Sequence, residues 1–120
     1  MKQRTPEQFL PLPTAWFHTL IALAESERHG YAILQDIITR TQGKSKIGPG
    51  TLYTALKRMA SEGLIRECDG PDDPSGAGER RRYFRITPLG REVATAETER
   101  MTFLVRQARI FGHDGQKSTT

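Results

Sequence analysis

The chain has a single cysteine, three histidines and no long apolar run among its 120 residues. The lone thiol of Cys68 excludes an intramolecular disulfide and is typical of a protein in a reducing cytoplasm. His18, His29 and His113 are scattered along the sequence without the spacing of metal ligands. The sequence therefore predicts no metal site and no cofactor, and it favours a cytoplasmic location.

Two further absences concern the membrane. No apolar run approaches the roughly 20 residues of a membrane-spanning helix. The opening segment, MKQRTPEQFLPLPTAW, lacks the continuous apolar core of a secretion signal. We therefore expect one domain with a modest core and no membrane contact. Its formal charge of +4 weakly favours polyanionic partners.

The first half of the chain alternates between polar segments and helical patterns. Residues 1–12 are polar and interrupted by prolines, which predicts a flexible N-terminal arm. Apolar residues then recur at helical spacing, which predicts helices over residues 13–25 and 30–42. A third helix is predicted over residues 49–62, because glycine suits the N-cap at Gly48 and proline suits the first helical position after it.

The third helix has two different faces when its residues are placed at 100° intervals. The apolar sector contains Leu52, Ala55, Leu56 and Met59. The opposite side is polar and cationic, with no acidic residue before Glu62, and it contains Thr51, Tyr53, Thr54, Lys57, Arg58 and Ser61. The helix is thus predicted to pack through one face and to present the other to a partner or to water.

A hairpin and a fourth helix follow the third helix. The segments LIREC and RRRYFRI indicate two strands around a polar, turn-rich loop. Thr87 is a suitable N-cap for a helix over residues 88–111, and residues 112–120 are predicted to be disordered. The fold class is therefore mainly α with a β-hairpin wing, that is, a winged helix-turn-helix over residues 13–87 plus a C-terminal helix.

This arrangement suits double-stranded DNA, because a helix with a polar outer face fits the major groove. The candidates for base or near-base contact are Thr51, Tyr53, Thr54, Lys57 and Arg58. Residues that can approach phosphates are Lys44, Lys46, Gly50, Arg80, Arg81 and Arg82. Gly50 belongs to this set because it carries no side chain near the positive end of the helix dipole.

Simpler interpretations exist for each feature taken alone. An amphipathic helix commonly shows its polar face only to water, and the arginines can protect an exposed edge strand from pairing. Asp72 and Asp73 at the wing tip argue against deep insertion of that tip between phosphates. A winged-helix module that binds a protein partner is therefore the alternative function. An enzyme is disfavoured, because no nucleophile–base pair, carboxylate dyad or metal cluster is visible in the sequence.

The sequence resembles the PadR family of bacterial transcriptional regulators over about residues 15–93. The matching blocks are HGYAILQDI (29–37), IGPGTLYTALKRMASEGLI (47–65) and RRRYFRITPLGREV (80–93). The resemblance implies a homodimer with a C-terminal dimerisation helix, usually a repressor, often relieved by a small-molecule effector. The short C-terminal part resembles the smaller subfamily with one such helix. No ligand-binding residue can be transferred from the family pattern.

A dimer is also predicted from the length of the fourth helix, about 35 Å at 1.5 Å per residue. Its apolar side extends beyond the reach of so small a domain, and soluble monomers avoid such exposed stripes. The residues assigned to dimerisation are Trp16, Leu89, Val93, Met101, Leu104, Ala108 and Phe111. Two recognition helices in a dimer would lie about one DNA turn apart, matching a near-palindromic operator. The alternative is a helix that folds back on its own domain.

Three other residues have competing interpretations. Trp16 is expected to pack in the core or the dimer interface, although it could line an effector cavity. Tyr31 is expected to pack between helices, although its hydroxyl could reach a phosphate. Cys68 is expected to be inert, because the sequence offers no resolving partner for a redox switch.

Overall fold

The computed structural model describes residues 4–70 and 82–112. Within them, the elements run in the order α1 (Thr14–Ala22), β1 (Arg28–His29), α2 (Gly30–Arg40), α3 (Pro49–Ser61), β2 (Ile65–Cys68), β3 (Tyr83–Ile86) and α4 (Pro88–Gln107). One-turn 3-10 helices lie at Pro6–Phe9 and Ala108–Phe111. The predicted helices and both hairpin strands are confirmed, with ends displaced by a few residues. The wing loop from residue 71 onward and residues 113–120 of the tail predicted over 112–120 lie outside the described residues.

The sheet contains a strand that the sequence did not predict. β3 is central and pairs antiparallel with β2 on one side and with β1 on the other. Phe84 of β3 lies opposite Glu67 of β2 and opposite Arg28 of β1. A strand of two residues is too short to show an alternation of apolar and polar side chains, so β1 could not be predicted from the sequence.

The core lies between the helices and the inner side of the sheet. α1 packs against α2, α3 and α4. The predicted apolar sector of α3 is confirmed, because Leu52, Ala55, Leu56 and Met59 are all buried. Val93 of α4 and Phe84 of β3 belong to the same core cluster. One face of α3 is therefore committed to packing, which leaves its other face to solvent.

The junction between α3, the hairpin and α4 is held by Thr87. Its backbone N–H donates to the Leu64 carbonyl at 3.1 Å, and its hydroxyl donates to the Gly63 carbonyl at 2.6 Å. The same hydroxyl accepts from the Gly90 N–H at 3.0 Å and so caps α4. These bonds anchor the first turn of α4 to Gly63 and Leu64, which follow α3. The chain turns at Gly63, whose φ is +83°.

Gly90 allows the two segments at this junction to approach closely. A Cβ at this position would lie 2.1 Å from the Leu64 carbonyl oxygen and 2.9 Å from the Ile86 side chain. Because the carbonyl belongs to the backbone, it cannot move aside as a flexible side chain can. Glycine is therefore required for α4 to start against the beginning of β2.

The N-terminal segment packs on the fold, so the prediction of a flexible arm is wrong for residues 6–12. Phe9 and Leu12 are buried in the core cluster, and the 3-10 helix at Pro6–Phe9 lies against α4. The guanidinium of Arg4 lies 4.2 Å from the centre of the Phe9 ring and pairs with Glu62 at the end of α3. Burial of two large apolar side chains outweighs the irregular backbone that the prolines impose.

α4 contains a buried acid, Glu97, that joins it to the N-terminal segment. Its carboxylate accepts hydrogen bonds from Arg100 at 2.7 and 2.9 Å and a further bond from the Leu12 backbone. Although Glu97 is fully buried, the Arg100 hydrogen bonds hold the pKa of its carboxyl below the usual value, against the opposing effect of burial. Glu97 is therefore ionised in the folded protein.

We expect Gly90→Ala to destabilise the fold by about 1–3 kcal/mol, because the added methyl group overpacks the Leu64 carbonyl. The free energy of unfolding in urea, at fixed protomer concentration, provides the measurement. Gly50→Ala is the matched control, since a Cβ there meets no atom within 4 Å. Equal stability of the two variants would contradict the close approach at Gly90.

We expect Glu97→Gln to lower the free energy of unfolding by about 1–3 kcal/mol at pH 7, because the charged hydrogen bonds with Arg100 are lost. A depressed carboxyl pKa stabilises the fold above the unfolded pKa, and this contribution disappears as pH falls through the folded value. The difference between wild type and variant should therefore shrink from about pH 5 downward. A difference that stays constant down to acid pH would contradict the role of ionised Glu97.

Candidate functional site

The outer face of α3 is exposed along its whole length. The residues predicted for this face are all solvent-exposed, namely Thr51, Tyr53, Thr54, Lys57 and Arg58. Three of these side chains carry hydroxyl groups and the last two are cations, and the first turn contains no acidic residue. This face can offer hydrogen bonds and positive charge to an extended, negatively charged surface.

The start of α3 is open to close approach. Gly48 is the N-cap and Pro49 occupies the first turn, as the sequence predicted. The space around Gly50 is free, since a Cβ there would have no neighbour within 4 Å. Lys44 and Lys46 are exposed in the loop that leads into α3. Positive side chains and the positive end of the helix dipole thus lie on the same approach to the helix.

Tyr53 is positioned by a glycine at the start of α2. A Cβ on Gly30 would lie 2.6 Å from the Tyr53 ring, so the aromatic ring lies directly over the glycine backbone. Tyr53 nevertheless remains 50% exposed. The HGY and GTLY segments of the sequence are therefore in contact, and this contact fixes the orientation of one outward side chain of α3.

At the base of the wing, Arg82 is exposed and its Nε lies 3.4 Å from a carboxylate oxygen of Glu67. Both side chains are more than half exposed, so this ion pair contributes little to stability. Arg80 and Arg81, which were predicted to contact phosphates, lie outside the described residues.

A cavity of about 810 Å³, here called the wing cavity, lies between α3 and the sheet. Buried Leu56 and Phe84 contribute apolar surface to it, while Tyr53 and Lys57 line it from the outer face of α3. Tyr31 also lines it and is 58% exposed, so the prediction that Tyr31 packs between helices is wrong.

The second half of α4 and the 3-10 helix that follows it expose a group of large apolar side chains. Exposed residues include Met101, Phe103, Leu104, Val105, Ile110 and Phe111. Ala108 is exposed as well. This group contains four of the residues that were assigned to dimerisation, and no part of the core formed by residues 4–70 and 82–112 covers them.

The other three residues assigned to dimerisation pack within the chain. Val93 is fully buried in the core, so its assignment to a partner contact is corrected. Leu89 and Trp16 are half-buried and pack against the same core. The apolar periodicity of α4 is continuous, and sequence alone could not show where the domain's own core ends.

The described residues hold few other reactive groups. Burial and the nearby Glu27 carboxylate raise the pKa of the Cys68 thiol, which makes a thiolate less available. Within residues 4–70 and 82–112, no group of three His, Cys, Asp or Glu side chains could hold a metal ion. None of the helices in this part of the chain has the length and apolar character needed to cross a bilayer.

Several proteins are similar to this chain in sequence. It is 39% identical over 92 residues to a 37.1 kDa protein of transposon TN4556 from Streptomyces fradiae. The matched region is 77% of this chain but only 24% of that protein. It is 38% identical over 69 residues to protein X of Lysinibacillus sphaericus, of which it spans 61%. It is 31% identical over 90 residues to the transcriptional regulator Rv3488 of Mycobacterium tuberculosis, which covers 75% of this chain and 78% of that protein.

Solved structures share the fold. A transcriptional regulator from Clostridium thermocellum superimposes with a TM-score of 0.70 at 27% identity, covering 82% of this chain and 90% of that one. PadR of Bacillus subtilis in complex with operator DNA gives a TM-score of 0.61 at 18% identity, and the match covers 70% of this chain and 46% of that one. The family model of PadR-like transcriptional regulators matches residues 19–96. With its winged helix-turn-helix and C-terminal helix, the chain belongs to the PadR-like family of transcriptional regulators.

Proposed function

We propose that the protein is a homodimeric regulator that binds a near-palindromic operator in double-stranded DNA and represses transcription. The observation that carries this proposal is the outer face of α3, which is exposed, polar and cationic on a helix whose other face is buried. The family membership supports it. The bound operator in the Bacillus subtilis PadR complex supports it further.

In this proposal α3 enters the major groove and its side chains contact base edges. Tyr53 and Lys57 are the central candidates, because both are exposed and Tyr53 is held in place over Gly30. Gly50 lets the helix start approach a phosphate, where the helix dipole favours negative charge. Further phosphate contacts are assigned to Lys44, Lys46, Arg80, Arg81 and Arg82.

The dimer in this proposal forms through the second half of α4. Leu104 lies seven residues after Glu97 and eleven after Val93, so it continues the side of α4 that is buried in the first half. Beyond residue 100 the chain's own core no longer covers that side. A second copy would cover it, and the two-fold symmetry would place two copies of α3 on successive turns of the duplex.

The proposal includes a cytoplasmic location and relief of repression by a small-molecule effector. A dimer on an operator near a promoter blocks access to the promoter, and an effector that favours the free protein restores it. The lone, poorly reactive Cys68 fits a reducing compartment. We further propose that the chain acts by binding and not by catalysis, as expected for its family.

We expect Tyr53→Ala and Lys57→Ala to reduce the preference for the operator over a scrambled duplex by about 1–3 kcal/mol each, because base contacts are lost. Arg82→Ala should instead weaken both duplexes equally and lower the slope of log K against log salt by about one. Fragments selected from the source genome provide the operator, and fluorescence anisotropy provides the affinities.

Lys57→Arg is the control for charge, since it should keep the salt dependence that Lys57→Ala loses. Thermal unfolding of each variant shows whether the fold is intact. Unchanged selectivity in both alanine variants would show that α3 is not the reading helix. A wild-type protein without salt-dependent binding to any duplex would favour the alternative, a module that binds a protein partner.

We expect Leu104→Glu to weaken dimerisation by about 2 kcal/mol, or about 30-fold in Kd, because a charge enters the apolar contact. Sedimentation at several protomer concentrations measures the change. Arg106→Glu is the control, since Arg106 is exposed on the opposite side of the same helix. Equal dimerisation of the two variants, or a monomeric wild type, would refute the α4 interface.

A further inference from the structure

The wing cavity has the size and lining of a site for a small organic molecule. Its volume of about 810 Å³ lies within the range of ligand sites, about 300–1,000 Å³. Leu56 and Phe84 are at most 8% exposed, so the surface they contribute is the edge of the hydrophobic core. Ala60 also lines the cavity and leaves space there because its side chain is small.

The walls of the wing cavity favour a flat molecule. Tyr53 lines it from α3 and Tyr31 lines it from the first turn of α2. Both rings are at least half exposed, so their surfaces are available for contact. Aromatic rings stack well on flat partners, and the Tyr53 ring is already held in place by the Gly30 backbone.

The charges of the wing cavity favour a single negative charge on its ligand. Two cations and one acid line it, and the acid, Glu67, is paired with Arg82 at 3.4 Å. The other cation is Lys57, and no ion pair joins its amine to a carboxylate of the described residues. An anionic group placed beside Lys57 would gain a charge-assisted hydrogen bond at the edge of an apolar site.

We propose that the wing cavity binds a flat, mostly apolar organic anion, and that this molecule excludes DNA from α3 by direct competition. Tyr53 and Lys57 line the cavity and also belong to the face assigned to DNA. A ligand that contacts both side chains removes them from the duplex without any change in the fold. Binding of the anion is independent of the proposed function, whereas the competition with DNA rests on it.

The binding step is tested with 8-anilinonaphthalene-1-sulfonate, an aromatic dye with one negative charge whose fluorescence rises in apolar sites. Titration of the full chain without DNA gives its Kd. Ala60→Leu fills the cavity, and leucine is well tolerated in an exposed helix position. Lys57→Gln removes the charge. We expect each variant to weaken dye binding about tenfold.

Phe103→Gln is the control for dye bound elsewhere, since Phe103 is an exposed apolar residue of α4. It should leave the dye Kd unchanged. If Phe103→Gln abolishes the signal while Ala60→Leu and Lys57→Gln do not change it, the dye binds α4 and the cavity site is refuted. Absence of dye binding to the wild-type protein also refutes it. Lys57→Gln, at an exposed position, keeps the test valid if Ala60→Leu fails to fold.

The competition step is tested on the selected operator with increasing dye. Direct competition raises the apparent Kd for DNA in proportion to dye concentration, without a plateau. The Ala60→Leu variant should bind the operator as the wild type does and resist the dye. A plateau, or no effect on DNA despite dye binding, overturns the competition. Failure of the wild type to bind any duplex would instead refute the proposed function and leave the measured dye site intact.

Discussion

The rest of the structure depends on the hydrogen bonds of Thr87 at the junction of α3, the hairpin and α4. One side chain caps α4 and also bonds the carbonyl of Gly63, where α3 has just ended. Gly90 allows α4 to begin in contact with Leu64. The start of α4 is therefore joined to the end of α3 and to the beginning of the hairpin at one junction.

A second contact connects α3 to α2. Tyr53 lies on the backbone of Gly30, so the two helices approach each other through an aromatic ring. The contact leaves half of the ring exposed and places it at the wing cavity. One side of the Tyr53 ring thus packs on α2, and the exposed part of the ring faces solvent at the wing cavity. The outer face of α3 and the wing cavity therefore share residues.

The apolar stripe of α4 lies in two different environments. Its first half, around Val93, completes the core of the domain, and buried Glu97 ties it to the N-terminal segment. Its second half, around Leu104, continues the same side of the helix into solvent. The cost of leaving so much apolar surface exposed is the physical basis of the proposed dimer. The N-terminal segment strengthens the first half and leaves the second half uncovered.

Local chemistry along the chain determined the helices, the hairpin and the inner face of α3. Caps such as Gly48 and Thr87 and the spacing of Leu52 and Met59 act within a few residues, so the sequence displays them directly. The strand β1, the burial of Phe9 and the exposure of Tyr31 were decided only by the tertiary structure. β1 and Phe9 depend on partners distant in sequence, and Tyr31 is exposed because no other element covers it among the described residues. Periodicity carries no information about which distant surface will cover a side chain.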